Sequence, residues 1–392
     1  MDCREKILSE DYQNLLVDYV AYFDVLKQNA IDYCFLPIED NLGILYVNRL
    51  DVQPLSISEY RYAFIPKCYG LAAREETSGL FSTIKQSENA VYGEYRLQQE
   101  RQRLAGAYED GGILRVQQPP LSLTGNGVLI GFVDTGYTLP AFQNEDGSTK
   151  LHSVWDQTQQ TGESPQGLPY GTVFSKEVIN DNLRLRKTDQ TIPLLFTDEN
   201  GHGTKVASVA ENAAPHAELV VVKCRQAKRY LREYYQIPQA ADAYEESDIV
   251  AALKYLHDVS ERENKPIVIC MTMGTNMGDH AGTSFLDRYL TLLTNKRHHC
   301  VVIGGGNEGN TAHHYEGSIM LQAADAYEDV EVHVSDGVSG FIMELWGKIP
   351  NVYTISLRSP DGEMISRIPD KYGQTLRYSF VYSKSRVSVD YI

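Results

Sequence analysis

The middle of the chain contains short, almost wholly apolar runs that are separated by polar, turn-forming stretches. The runs are GVLIGFVD from residue 127, LVVVKC from residue 219, PIVICMTM from residue 266 and CVVIGGG from residue 300. Because polar residues do not alternate with apolar ones inside them, the runs predict strands buried on both faces of a parallel sheet. Between the second and third runs, SDIVAALKYLHDVSE places Ile249, Leu253, Leu256 and Val259 on one helical face. Strands that alternate with such helices predict an α/β fold.

The two ends of the chain have different patterns. The first part combines an acidic helical start, strand-like residues around a hairpin turn at Glu39-Asp40-Asn41 and a second helical run at 88–107. A glycine- and proline-containing stretch, GGILRVQQPPLSLTGNG, then suggests a boundary near residue 115. After residue 318 apolar and polar positions alternate around Asp-Gly pairs, which predicts antiparallel strands at the start of a β-sandwich or jelly roll. These patterns divide the chain into regions 1–115, 116–318 and 319–392.

The acidic composition argues against two classes of partner, nucleic acids and membranes. Asp and Glu number 52 against 36 Lys and Arg, which gives a net charge of -16. Such a surface repels phosphate backbones and anionic lipids, so neither nucleic acid nor a membrane is expected as a partner. No run approaches the roughly 18 apolar residues of a membrane helix, and the first residues lack the order of a secretory signal, which predicts a cytoplasmic protein. The six cysteines contain no CxxC pair, which predicts reduced thiols.

Polar residues with catalytic potential follow three of the apolar runs or lie between them. Asp134 ends the first run, His202 lies in DENGHGTKVAS, and Asn307 follows the fourth run. Side chains at the carboxyl ends of parallel strands converge on one crevice. There a carboxylate can orient a histidine, and an amide can donate to an oxyanion. The constellation predicts acyl-transfer chemistry, although its nucleophile is missing.

At these residues the chain resembles the subtilisin family of serine proteases. The resemblance rests on DTG at Asp134, HGT at His202, GGNEG around Asn307 and the strand sequences APHAELVVVK and PIVICMTMG. It implies a subtilisin-like parallel sheet flanked by helices, with Asp134 orienting His202 as general base and Asn307 donating to the oxyanion. It also implies substrate-binding positions, which are Thr272, Met273 and Gly274 along the substrate backbone and Gly304, Gly305 and Gly306 at the specificity pocket. No cofactor and no metal are implied.

A narrower resemblance is to the clostridial Csp germination proteases and related Firmicute subtilases. It rests on LTGNGVLIGFVDTG, SVWDQTQQTGESPQGLPYGTVFSKEVIN, GTNMGDHAGTSFLDRYL and GFIMELWGKIP. It implies that region 1–115 is an α+β prodomain that blocks the cleft, with self-cleavage between residues 95 and 118. Region 319–392 would begin an inserted jelly-roll domain. The nucleophilic Ser would lie beyond Ile392, so the expected partners are a peptide or protein substrate and the chain's own prodomain, and the expected location is cytoplasmic or spore-associated.

Three other sequence features allow a different interpretation. Ser284 lies in a GTS sequence, but it precedes Asn307, whereas the family places its nucleophile later; a loop serine that caps the next helix is the better interpretation. GGGNEG at 304–309 matches GxGxxG, with Asp325 at the ribose spacing, but NTAHHYEG does not predict the required phosphate-binding helix. The histidine pairs at 298–299 and 313–314 could suggest a metal site, but adjacent strand residues point to opposite faces and do not easily hold one ion together, so solvated loop histidines are expected. A pseudoprotease that regulates or binds in germination is the alternative function.

Overall fold

A computed structural model describes residues 1–18, 32–51, 63–71, 106–138, 142–319, 326–348, 350–371 and 374–391. The chain divides into two compact units. One comprises 1–66, 277–285 and 340–392, and the other comprises 67–276 and 286–339. Among the described residues, no helix has both the length and the apolar character needed to cross a membrane.

The first unit begins with a short helix and an antiparallel sheet. Asp2 and Glu5 form a capping box at the start of helix α1, Cys3–Leu8. The strands are β1 (Tyr12–Asp18), β2 (Tyr33–Glu39), β3 (Leu42–Asn48) and β4 (Ala63–Phe64), in the order β2-β3-β1-β4. The predicted hairpin at residues 39–41 is confirmed by the pairing of β2 with β3. The helix predicted at 88–107 falls almost wholly outside the described residues.

The cysteine prediction is wrong at one pair. Cys3 in α1 and Cys34 in β2 form a disulfide, with Cα atoms 5.2 Å apart and a sequence separation of 31. The pattern did not reveal the pair, because the helix and the strand are brought together only by the folded sheet. Cys68, Cys224, Cys270 and Cys300 are free thiols, as predicted.

The C-terminal part of the first unit contains two antiparallel hairpins. The strands are paired as β14 (Ile355–Arg358) with β15 (Met364–Ile368) and β16 (Thr375–Ser379) with β17 (Arg386–Asp390). Gly362, at φ +86°, provides the turn of the first hairpin, in agreement with the predicted Asp-Gly turn. No strand forms between residues 326 and 348 within the described residues, so the strands predicted around Asp336-Gly337 are absent there.

A six-stranded sheet forms the centre of the second unit. Its order is β13-β11-β6-β9-β7-β8. The four predicted strands lie side by side and parallel, which confirms the α/β prediction, whereas β8 is antiparallel to β7. The strands of this sheet are β6 (Leu129–Asp134), β7 (Leu151–Asp156), β8 (Thr172–Ser175), β9 (Glu218–Lys223), β11 (Ile267–Met271) and β13 (His299–Ile303).

Six helices are found between residues 113 and 295 of the described chain, of which 176–188, 202–213 and 246–263 contact the sheet. They are α2 (Ile113–Gln117), α3 (Lys176–Thr188), α4 (His202–Ala213), α5 (Arg229–Tyr234), α6 (Glu246–Glu263) and α7 (Phe285–Asn295). The four apolar side chains predicted to share one face of α6 are fully buried. Gly131 allows α6 to approach β6 closely, because a Cβ at this position would lie 2.9 Å from Leu256.

Strand β13 differs from the prediction of burial on both faces. Val302 and Ile303 are each 51% exposed. The physical reason is position: β13 is the edge strand of the described sheet and pairs with β11 on one side. The central strand β6, by contrast, is buried at every residue.

A small three-stranded sheet completes the second unit. Its strands are β5 (Cys68–Leu71), β10 (Tyr244–Glu245) and β12 (Met273–Gly274), with β5 in the middle. Both pairings are antiparallel. Strand β5, from the first quarter of the sequence, therefore lies between β12 and β10. Strand β12 follows β11 after one residue, and β10 directly precedes α6.

Candidate active site

The structure brings Asp134 and His202 into direct contact. Asp134 is the last residue of β6, and His202 is the first residue of α4. The Nδ1 atom of His202 lies 2.7 Å from Oδ1 of Asp134. The aspartate side chain is 1% exposed, whereas the imidazole is 26% exposed. A buried carboxylate thus holds one ring nitrogen of a histidine whose other side remains accessible.

Two further donors satisfy the Asp134 carboxylate. The backbone N–H of Thr135 donates to Oδ1 at 2.7 Å, and the hydroxyl of Thr272 donates to Oδ2 at 2.6 Å. Since a buried charge is costly unless it is hydrogen-bonded, these donors stabilise the ionised form in which Asp134 can orient the histidine. The resemblance placed Thr272 along the substrate backbone and gave no indication of this contact. The sheet register could have revealed it, because Met271 is paired with Val133, one residue before Asp134.

Asp198, which the sequence analysis missed, fixes the start of α4. Its Oδ1 accepts the N–H of Gly201 at 2.8 Å and the hydroxyl of Thr135 at 2.9 Å. Its Oδ2 accepts the N–H and the hydroxyl of Thr204, at 2.9 and 2.7 Å. Asp198 therefore satisfies donors of the first helical turn that would otherwise lack partners. An aspartate shortly before a predicted helix was the available signal.

The glycines beside His202 are required by the backbone. Gly201 is left-handed, at φ +81°, where it forms the N-cap of α4. A Cβ on Gly203 would lie 2.3 Å from the carbonyl oxygen of Gly136 and 3.0 Å from Cβ of Asp134. The GHG sequence thus permits α4 to begin directly against the end of β6.

The surroundings of His202 raise the pKa of its imidazole above the ordinary value of 6.5. The hydrogen bond to Asp134 has the largest effect, and the negative charges of Asp134 and Asp198 act in the same direction. Burial opposes them, because it disfavours the imidazolium ion. The net result is a stronger base than a free histidine, which suits proton abstraction.

The predicted substrate-backbone positions are paired with the chain itself. In the register of β12 and β5, Met273 is opposite Leu71, and Gly274 is opposite Gly70. On its other side β5 pairs with β10, with Tyr69 opposite Tyr244. Strand β5 is therefore held on both sides by backbone hydrogen bonding.

The glycine-rich turn after β13 runs next to Thr272. The N–H of Gly304 donates to the carbonyl oxygen of Met271 at 3.1 Å, and a Cβ on Gly304 would lie 3.9 Å from Cα of Thr272. Gly306 has a φ of +78°. Asn307 is exposed, and no hydrogen bond within the described residues joins it to Asp134 or His202. Its role at an oxyanion, and the pocket role of Gly304, Gly305 and Gly306, stay predictions.

The structure bears on the alternative interpretations of Ser284 and of the GGGNEG glycines. Ser284 directly precedes α7, as expected of a residue at a helix start, and lies in the first unit. No helix follows the GGGNEG glycines through residue 319, which disfavours a dinucleotide site, and Asp325 is outside the described residues.

His313 contacts Glu308 and Asn276. His299 contacts a histidine of α6 rather than its sequence neighbour, contrary to the expectation of solvated loop histidines.

Comparisons with known proteins find similarities among solved structures. No protein-family model and no curated protein matches the chain. The CspB protease of Clostridium perfringens is 30% identical, with a TM-score of 0.42 over 51% of this chain and 40% of that chain. The epidermin leader peptide processing serine protease EpiP of Staphylococcus aureus is 12% identical, with a TM-score of 0.26 over 66% of this chain and 60% of that chain. The chain thus spans less than half the length of the CspB protease.

Proposed function

We propose that the chain supplies the Asp and His of a subtilisin-type serine endopeptidase, with the nucleophilic Ser in sequence beyond residue 392. The observation that carries the proposal is the 2.7 Å contact of His202 Nδ1 with the buried Asp134 carboxylate. Within the described residues, Nε2 of His202 makes no hydrogen bond, so it is free to accept a proton from a hydroxyl. This is the arrangement that nucleophilic catalysis by serine needs.

In the proposed reaction, Nδ1 of His202 is held by Asp134 and Nε2 transfers the protons. Nε2 of His202 takes the proton of the serine hydroxyl as its oxygen attacks the scissile carbonyl. The same nitrogen then gives that proton to the leaving amine, which leaves an acyl-enzyme. Water hydrolyses the acyl-enzyme by the same steps, and the serine recovers its proton. Asp134 stays ionised and stabilises the imidazolium, while the amide of Asn307 donates to the oxyanion.

The pairing of the chain's own strand β5 with β12 supports the inference that the substrate is a peptide. Strand β5 occupies the edge of β12 in the extended conformation that a substrate would adopt. Because the pairing is antiparallel, β5 runs from Gly70 opposite Gly274 to Leu71 opposite Met273, and so towards Thr272 and Asp134. We propose that β5 is the end of the inhibitory prodomain and that self-cleavage occurs within a few residues after Leu71. This position is earlier than the 95–118 segment implied by the family resemblance, of which residues 95–105 are outside the described ranges.

A fluorophosphonate probe tests the proposed function in the full-length protein. Such probes react with a serine only when an adjacent base activates it. The parent is expected to be labelled, and His202→Ala is expected to abolish labelling. His216→Ala is a suitable control, because His216 contacts Thr124 on the surface and should leave labelling unchanged. An unlabelled but folded parent would favour the pseudoprotease alternative, a binding or regulatory protein.

A further inference from the structure

A second cluster of histidine and carboxylate side chains lies away from the candidate active site. It consists of His257 and Glu261 on α6 and His299 at the start of β13. One ligand atom from each residue lies within 4.8 Å of the other two. Nδ1 of His257 and Nε2 of His299 are 2.9 Å apart.

Secondary structure brings these three residues together. His257 and Glu261 are four residues apart on α6, so their side chains lie on the same helix face. Ile267 of β11 is paired with His299, and the N–H of Ile267 donates to the carbonyl oxygen of His298 at 2.9 Å. The last turns of α6 and the first residue of β13 therefore meet through β11, independently of any loop histidine.

The hydrogen bonds of His299 determine which of its nitrogens can bind a ligand. Its Nδ1 lies 2.8 Å from the carbonyl oxygen of Arg297, which can only accept, so Nδ1 carries the proton. Nε2 then presents a lone pair towards Nδ1 of His257. An imidazole whose second nitrogen donates to a backbone carbonyl is the usual arrangement of a histidine that binds a metal.

We propose that His257, His299 and Glu261 bind a zinc ion through Nδ1, Nε2 and a carboxylate oxygen, with water as the fourth ligand. Two imidazoles and one carboxylate are a ligand set that zinc favours. In a tetrahedral zinc site with bonds of about 2.0–2.1 Å, neighbouring ligand atoms lie roughly 3.4 Å apart. To reach this spacing, the two ring nitrogens move apart from 2.9 Å and the exposed Glu261 side chain turns towards them.

The position of this site indicates a structural rather than a catalytic function. His299 begins β13, whereas Asp134 ends β6, and both strands run in the same direction as β11 between them. The zinc site and Asp134 are therefore at opposite ends of the sheet. A bound zinc ion would connect the end of α6 to the exposed edge strand β13 and stabilise the folded state by mass action.

Zinc titration by calorimetry tests the site in the full chain, in a His202→Ala background so that the active-site imidazole cannot bind the metal. We expect one zinc per chain, bound with a dissociation constant of about 1 μM or lower and accompanied by a rise in Tm. His299→Ala or His257→Ala should weaken binding by more than about 100-fold and abolish the Tm rise, since losing a ligand costs more than the 10–100-fold typical of losing a residue that only hydrogen-bonds to a ligand. Glu261→Gln alters an exposed helix residue and should weaken binding with the fold intact.

The control is His298→Asn, which removes a neighbouring imidazole but keeps a residue type that tolerates its φ of +65°. This variant should bind zinc like the parent. Absence of stoichiometric binding by the parent would overturn the proposal. So would equal zinc affinity in the parent and in the His257→Ala, His299→Ala and Glu261→Gln variants.

Discussion

Asp134 accepts three hydrogen bonds. Of the three donors, the Thr272 hydroxyl is the one that a substitution can remove with the least disturbance of the backbone. His202 and the N–H of Thr135 share Oδ1, whereas the Thr272 hydroxyl alone donates to Oδ2. The hydroxyl therefore limits rotation of the carboxylate about its last bond. We regard Thr272 as a positioning residue that acts through Asp134.

Thr272→Val is expected to lower kcat of the full-length enzyme by roughly 10-fold, because a hydrogen bond to a charged group contributes on the order of 1.5–3 kcal/mol. Thr272→Ser keeps the donor and should retain nearly full kcat. Steady-state kinetics on a small ester substrate should show this loss in kcat with KM little changed. Equal kcat values for the Val and Ser variants would show that the hydroxyl has no positioning role.

Helix α4 begins at the candidate site because Asp198, Gly201 and Gly203 together permit a tight approach to β6. Asp198 satisfies the first-turn donors, and Gly203 leaves no Cβ to collide with the carbonyl oxygen of Gly136. The GHG pattern was recognisable in the sequence. The contacts of Gly203 with Gly136 and Asp134 that make this glycine necessary join residues more than 60 positions apart and could not be predicted from local patterns.

Gly203→Ala should destabilise the protein by about 1–3 kcal/mol, because the new methyl group would force the start of α4 away from β6. Thermal or urea denaturation measures the change. Gly106→Ala is the matched control, since a Cβ there has no neighbour within 4 Å. A Gly203→Ala variant as stable as the control would contradict the close approach of α4 to β6.

Strand β5 is the element whose function is most open to direct test. If it occupies the substrate groove, the full-length enzyme should acquire a new N-terminus within a few residues after Leu71. Intact-mass analysis and N-terminal sequencing would locate the cut. The His202→Ala variant should remain uncut. A cut confined to the 95–118 segment would show that β5 is not presented to the catalytic serine.

At the scale of the whole molecule, the sequence predicted what depends on repeated local patterns. The four parallel strands, the buried face of α6 and the hairpins at residues 39–41 and 361–362 could all be predicted in this way. The motifs around Asp134 and His202 also predicted that these two residues would lie together, and they are in contact, although His202 begins a helix and does not end a strand.

Features that arise from pairing distant segments were missed. They include the Cys3–Cys34 disulfide, the insertion of β5 beside β12 and the contact of His257 with His299. The exposure of β13 was missed as well, because an apolar run does not reveal whether its strand is central or at an edge. Each of these depends on which elements become neighbours, a property that no single segment encodes.

The central claim is that the Asp134 carboxylate makes His202 a positioned base, and NMR titration of the His202 imidazole tests it most directly. The parent should titrate with a pKa above 6.5, and Asp134→Asn should lower that pKa because it removes the hydrogen bond to a carboxylate and the Asp134 charge, which both oppose the effect of burial. With a raised folded-state pKa, the pair's contribution to stability is complete below the unfolded value and is lost as pH rises through the folded one. An identical pKa in the parent and in Asp134→Asn would contradict the account.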